Sequence, residues 1–355
     1  MQRNLDTFAI PVDIRPNTIV QEDDGATVHW SDGHRSRYDM EFLTHYTNHN
    51  VRRDEDYVVK MRHLWGSEAA TNPPTISYES VMKTDSGVAS LTNTLMKWGF
   101  ILVENTPYDD PDKTRQLLER IAFIRHTHYG GFYDFVPDLA MADTAYTNVA
   151  LPAHTDTTYF TDPAGLQSFH LLSHQPAPGA GSGETASGGK SLLVDGFFAA
   201  HILAKRHPEY YHILSKVPIR WHASGNPGIT ITPEILFPVL EHRPNRTRPR
   251  GLFRIRWNNA DRGVVSFINH KYSPAQWYEA ARAWNDILKS EDVECWIQLE
   301  PGKVLIFDNW RVLHGRSAFS GVRRICGGYI NRDDFISRWR NTNFPRQHVL
   351  NMVVG

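Results

Sequence analysis

Lys303-Val304-Leu305-Ile306-Phe307-Asp308-Asn309-Trp310-Arg311-Val312-Leu313-His314-Gly315-Arg316 governs the reading of this chain, with Arg323 just beyond it. Pro301-Gly302 marks a turn, and the apolar run Val304 to Phe307 that follows predicts a buried strand. A histidine at the mouth of such a strand is one half of a site. The other half lies far upstream, in His154-Thr155-Asp156. Side chains at i and i+2 of a strand share a face, so His154 and Asp156 are expected to point one way and Thr155 the other.

Working outward, strand-like runs recur at Leu166 to Leu172, Ser191 to Val194, Val217 to Trp221, Leu252 to Asn258 and Arg324 to Ile330. One long helix is expected among them, Tyr272 to Leu288, opened by Ser273-Pro274 in the N-cap and N1 positions. Gln175 to Gly189, rich in Gly, Ser, Ala and Pro, reads as a surface loop without the spacing of a phosphate-cradling loop. Further upstream the pattern is helical from Tyr78 to Trp98, stopped by Gly99. A buried strand, Phe100 to Val103, and a second helix, Asp112 to Phe123, follow. Residues 8–47 read as short strands, with a hairpin turning at Ser31-Asp32-Gly33-His34, and 66–75 as a linker. Helices first and then many strands predict an α+β fold. Its core is a double-sheet jelly roll with flanking helices over residues 76–355, beside a small β-rich module over 1–70.

Composition narrows the function classes. The 38 basic and 39 acidic residues nearly cancel, which argues against a nucleic acid or charged membrane surface as partner. No apolar run reaches the 18 residues of a membrane span. Cys295 and Cys326 are the only cysteines, too few for a disulfide framework and consistent with a reducing compartment. The first residues lack the apolar core of a signal peptide and carry an acid early, so a cytoplasmic protein is expected, or a mitochondrial one if the native start lies upstream. Oligomeric state stays open, a homodimer included.

Two imidazoles and one carboxylate suit one triangular face of an octahedral Fe(II), leaving three positions for a chelating cosubstrate and O2. A cosubstrate with two carboxylates needs its distal end fixed by a fork of donors, which arginine supplies and lysine does not. Arg323 and Arg324 are neighbours on a strand, so only one faces inward, and alternation does not say which.

Three stretches carry a family resemblance: His154-Thr155-Asp156-Thr157-Thr158-Tyr159-Phe160, Gly189-Lys190-Ser191-Leu192-Leu193-Val194-Asp195-Gly196-Phe197 and Asp308 to Arg316. With Gly327-Gly328-Tyr329 and Arg332-Asp333-Asp334, they closely resemble trimethyllysine dioxygenases, which with γ-butyrobetaine dioxygenases belong to the Fe(II)/2-oxoglutarate oxygenases. The resemblance implies a double-stranded β-helix and makes His154, Asp156 and His314 the iron ligands. It sets Arg323 on the distal carboxylate of 2-oxoglutarate with Arg324 outward, and Ser191 as a further donor there. The implied cofactors are Fe(II), 2-oxoglutarate and O2, with ascorbate as reductant.

For the substrate, the resemblance implies a trimethylammonium cage of Tyr129, Tyr133 and Tyr146, lying 25, 21 and 8 residues before His154, with Tyr329 as a fourth wall. Relatives carry tryptophan at position 133. Asp143 matches an anchor for an α-ammonium group, and Asn258, next to Asn259, an amide beside it. The expected reaction is C3 hydroxylation of N6,N6,N6-trimethyllysine, the first step of carnitine biosynthesis, giving succinate and CO2. Three alternatives are a homologue recruited to oxidise another amino acid in secondary metabolism, a γ-butyrobetaine hydroxylase, and a metal-free module binding quaternary ammonium or betaine ligands. Relatives also begin with a longer N-terminal module carrying a cysteine cluster and, in some, zinc. Here His63 matches a ligand but no cysteine precedes Cys295, so a structural zinc is not expected.

Overall fold

The computed structural model describes residues 6–47, 58–136, 147–179, 181, 183, 185–244, 246, 248–265 and 271–353. It divides into a larger unit, Met61–Asn343, and a smaller one formed by Met1–Lys60 with Phe344–Gly355. Trp65 belongs to the larger unit. Its ring meets Phe100 edge-on at 4.8 Å and its indole N–H donates to the Trp98 carbonyl at 2.6 Å, which ties it to the larger core.

The smaller unit contains an antiparallel sheet of β1 (Pro16–Glu22), β2 (Gly25–Trp30) and β3 (Arg35–Asp39), including the expected hairpin. After it the chain forms a helix, α1 (Met40–Thr47), and not another strand, because the Asp39 carboxylate accepts the Phe42 N–H at 2.6 Å and opens the first turn.

In the larger unit the strands are β4 (Thr75–Ser77), β5 (Phe100–Glu104), β6 (Tyr133–Phe135), β7 (Leu151–His154), β8 (Leu166–Gln175), β9 (Ser187–Gly188) and β10 (Ser191–Asp195). Then come β11 (Leu240–His242), β12 (Leu252–Ile255), β13 (Cys295–Ile297), β14 (Val304–Asp308), β15 (Val312–Arg316), β16 (Phe319–Ser320) and β17 (Val322–Ile330). One sheet has six strands in the order β4-β5-β14-β8-β17-β6 and a second has four, β13-β10-β15-β7, while β11 pairs with β12 and β9 with β16 in two-stranded sheets. Phe100, Leu102, Leu171, Leu305 and Phe307 of the first share a core cluster with Leu193, Cys295, Ile297 and Val312 of the second. This sheet-on-sheet core is the jelly roll expected from the strand count.

Helices cover its flanks. The expected helix from Tyr78 to Trp98 is two, α2 (Tyr78–Lys83) and α3 (Asp85–Trp98). Thr84 is extended between them, and its hydroxyl caps α3 by accepting the Gly87 N–H at 2.9 Å. Gly99 ends α3 at φ +79, where a Cβ would also stand 2.9 Å from Val312. Next is α4 (Pro111–Ile121), and α5 (Gly196–Arg206) and α6 (Pro208–Lys216) follow β10. The long helix α7 (Pro274–Leu288) opens with a Ser273/Gln276 capping box, and α8 (Arg332–Asn343) follows β17. Val217 to Trp221 is not a strand. Ile219 and Trp221 make only isolated bridges and bury against the helical layer, and a buried irregular run has the same composition as a strand. No helix among the described residues is long and apolar enough to cross a membrane.

One buried ion pair locks the region that carries the site. Arg311, in the turn between β14 and β15, meets Asp195 at the end of β10 through two bonds of 3.1 and 2.7 Å, with side chains 2% and 0% exposed.

Candidate metal centre

β7 and β15 pair antiparallel in a register that sets His154 opposite His314. Their rings lie 4.3 Å apart, centroid to centroid. Asp156 reaches them by a different route from the strand alternation expected, because β7 ends at His154 and Asp156 begins a turn. Thr155 does turn away: its N–H donates to the Trp257 carbonyl at 2.7 Å and its hydroxyl accepts the Trp257 N–H at 3.0 Å. Thr157 adopts φ +57, an uncommon conformation for a β-branched residue, and its hydroxyl accepts the Ala164 N–H at 2.8 Å. Asn309 completes the clamp. It accepts the Asp156 N–H at 2.8 Å and donates to the Asp156 carbonyl at 3.0 Å, joining this turn to the β14–β15 connection.

The result is a compact donor set. Asp156 Oδ1 is 3.2 Å from His154 Nε2 and 3.8 Å from His314 Nε2, and the three ligand atoms lie within 4.8 Å of one another. His154 Nδ1 donates to the Pro152 carbonyl at 2.8 Å, which leaves Nε2 as the ligating nitrogen. Burial, followed by the neighbouring His154, pushes His314 down to about 3, so its imidazole is neutral. Burial acts against ionisation of Asp156, but the two histidines and the Tyr329 hydroxyl outweigh it and hold the carboxylate well below its usual range. Burial also opposes a charged His154, and there the bond to Asp156 outweighs it and raises the imidazole.

A cavity of about 200 Å³ opens over this centre, lined by both sheets. Arg323 lines it and is 4% exposed, with its Nε lacking any hydrogen-bond partner among the described residues. Arg324 is exposed and pairs with Asp134 at 2.6 Å. Ser191 lines the same cavity. Tyr129, Tyr133, Tyr329 and Asn258 line it as well, whereas Asn259 does not and bonds Arg262 at 2.8 Å. Tyr133 stands at the edge of β17, where its hydroxyl donates to the Ser168 carbonyl at 2.5 Å. A Cβ on Gly327 would stand 2.1 Å from that carbonyl oxygen, so this crossing requires glycine. Tyr146 and Asp143 lie outside the described residues. Gln167, Asp261 and Arg316 line the cavity too, though the sequence assigned them no role; the Arg316 guanidinium packs on the Phe319 ring as that of Arg323 does, at 4.8 and 5.0 Å.

Two imidazoles, one carboxylate and a buried arginine with an unused donor in one cavity fit Fe(II) and a dicarboxylate chelator, and define the site of a non-haem iron oxygenase. The model of the taurine catabolism dioxygenase TauD, TfdA family matches residues 58–329. The trimethyllysine dioxygenase of Neurospora crassa is 60% identical over 100% of this chain and 79% of its own length. The mitochondrial trimethyllysine dioxygenase of Homo sapiens is 36% identical over 96% and 77%, and the human gamma-butyrobetaine dioxygenase 26% identical over 95% and 84%. A solved chain from Burkholderia xenovorans, described as an alpha-ketoglutarate-dependent taurine dioxygenase, shares the fold at a TM-score of 0.50 and 12% identity, over 71% of this chain and 86% of that one. The chain belongs to the TauD/TfdA family of dioxygenases. It is a 2-oxoglutarate-dependent enzyme using Fe(II) and O2, which sets aside the metal-free binding module.

Proposed function

We propose that this enzyme hydroxylates N6,N6,N6-trimethyllysine at C3, opening carnitine biosynthesis. Substrate, O2 and 2-oxoglutarate become the alcohol, succinate and CO2, with one oxygen atom in the new hydroxyl and one in succinate. The observation that carries this reading is the 60% identity to a trimethyllysine dioxygenase across the whole chain. The lower identity to a gamma-butyrobetaine dioxygenase, 26%, favours it over that alternative.

When bound, the iron and its cosubstrate supply the oxidising chemistry. His154, Asp156 and His314 hold the metal. Arg323 grips the distal carboxylate of 2-oxoglutarate with a two-donor fork, and the Ser191 hydroxyl adds a donor. A quaternary ammonium has no N–H to donate, so Tyr129, Tyr133, Tyr146 and the ring of Tyr329 recognise it through their faces, at about 0.5–2 kcal/mol per contact. Asp143 and Asn258 take the amino-acid head; an acid there suits an α-ammonium and repels a bare carboxylate. Gripped at both ends, the substrate presents one C–H bond to the oxidant.

The test is a competition among trimethyllysine, γ-butyrobetaine and plain lysine, counting succinate and the hydroxylated products by mass. Trimethyllysine is expected to dominate, and Asp143→Asn to weaken its turnover. Faster turnover of γ-butyrobetaine or of an unmethylated amino acid overturns the assignment.

A further inference from the structure

The two oxygens of Asp156 have different surroundings. Oδ1 faces the Nε2 atoms of His154 and His314, at 3.2 and 3.8 Å. Oδ2 points the other way and accepts two hydrogen bonds, from the Tyr329 hydroxyl at 2.7 Å and from Gln167 Nε2 at 2.7 Å. These donors sit on adjacent strands: β8 and β17 pair in a register that sets Gln167 directly opposite Tyr329. Both are buried, at 2% and 6% exposure. Gln167 Oε1 has no hydrogen-bond partner among the described residues. The Asp156 main chain is held on both its N–H and its carbonyl by Asn309. Neither the carboxylate nor its backbone is free to turn.

A carboxylate binds a metal through one oxygen or through both. In a facial triad the difference is functional, since a chelating cosubstrate takes two of the three remaining positions and O2 needs the third. A second oxygen from the aspartate would fill one of them. We infer that Tyr329 and Gln167 are positioning residues that hold Asp156 to one-oxygen ligation and so keep a coordination position open for 2-oxoglutarate and O2. For Tyr329 this is a role of its hydroxyl, separate from any contact its ring makes with substrate. Partners of this kind, bonded to a ligand and not to the metal, set ligand orientation in metalloenzymes generally.

The inference rests on the metal centre and not on the choice of substrate. Its test therefore contains no trimethyllysine, and its failure leaves that assignment standing. Tyr329→Phe and Gln167→Met keep side-chain volume and delete one donor each. Fe(II) affinity is titrated calorimetrically without cosubstrate, and 2-oxoglutarate is then titrated into the anaerobic Fe(II) enzyme by its visible charge-transfer band. Each single variant is expected to keep or tighten Fe(II) binding while the loaded enzyme binds 2-oxoglutarate about 10-fold more weakly, and the double variant more weakly still, with a displaced band. Parent-like 2-oxoglutarate affinity and band position in both single variants overturn the inference. So does weaker Fe(II) binding with unchanged 2-oxoglutarate affinity, because the donors would then serve metal retention alone. Should one variant fail to fold, the other reports on the same oxygen.

Discussion

His154 and His314 are direct cross-strand partners on β7 and β15, with ring centroids 4.3 Å apart, although the chain between them builds most of the catalytic unit. Their Nε2 atoms and Asp156 Oδ1 lie close enough to be bridged by one ion.

Metal binding should therefore stabilise the fold, because the unfolded chain does not hold this donor set together. At a free metal concentration 100 times Kd, the gain is about 2.7 kcal/mol. Anaerobic Fe(II), or Co(II) as a stand-in, is expected to raise the Tm of the parent and leave His314→Ala unmoved. An equal rise in both would place the metal elsewhere.

Arg323 is buried in the cavity wall with an unused donor, whereas Arg324 reaches solvent and pairs with Asp134. Losing a charge-assisted bond costs about 1.5–3 kcal/mol, so Arg323→Gln is expected to raise KM for 2-oxoglutarate roughly 10- to 100-fold. Arg324→Gln should stay within about twofold, as expected of a surface pair. Steady-state kinetics with cosubstrate varied distinguishes the two, and equal effects would refute the inward/outward assignment.

Arg311 and Asp195 join the turn ahead of β15 to the end of β10 in a buried pair. Replacing Arg311 by leucine strands the Asp195 carboxylate in the core, at a cost of about 3–5 kcal/mol. Urea denaturation should show that loss. A drop below about 1 kcal/mol would mean that water reaches the acid.

His170 gives the fold an acid-sensitive element. Its Nδ1 lies 2.7 Å from the Thr114 hydroxyl and its Nε2 accepts the Gly302 N–H at 3.2 Å, so a second ring proton would face a donor. Burial lowers it from 6.5 to about 4. Below pH 6.5 the unfolded chain takes up a proton that the fold refuses; the contribution is complete above that pH and is lost as pH falls toward 4. The most this group contributes is about 3 kcal/mol. His170→Asn should flatten the pH dependence of stability in that window, and an unchanged slope would assign it to other groups.

Several site features were legible because they depend on residue type and short spacing. The two histidines and the acid are recognisable as donors in any context, and Gly99, Ser273 and Gln276 punctuate helices through bonds to their immediate neighbours. The strand count led to the jelly roll, even though Val217 to Trp221 imitates a strand and α1 was read as one. His154 and Asp156 were expected to share a strand face, but it is the turn stabilised by Thr157 and Asn309 that brings the carboxylate round.

By itself, the sequence determined the kinds of ligand, the double-sheet fold class and the family, since these follow from local composition and contiguous motifs. Strand alternation left the arginine pair undecided and only the resemblance named Arg323 and Asn258; in the tertiary structure Arg323 and Asn258 line the cavity, whereas Arg324 pairs with Asp134 and Asn259 with Arg262. Tertiary structure alone decided that Gln167 and Tyr329 share one oxygen of Asp156. The shared oxygen depends on the register between β8 and β17, strands distant in the chain, which packing sets and which leaves no periodic trace in the order of residues.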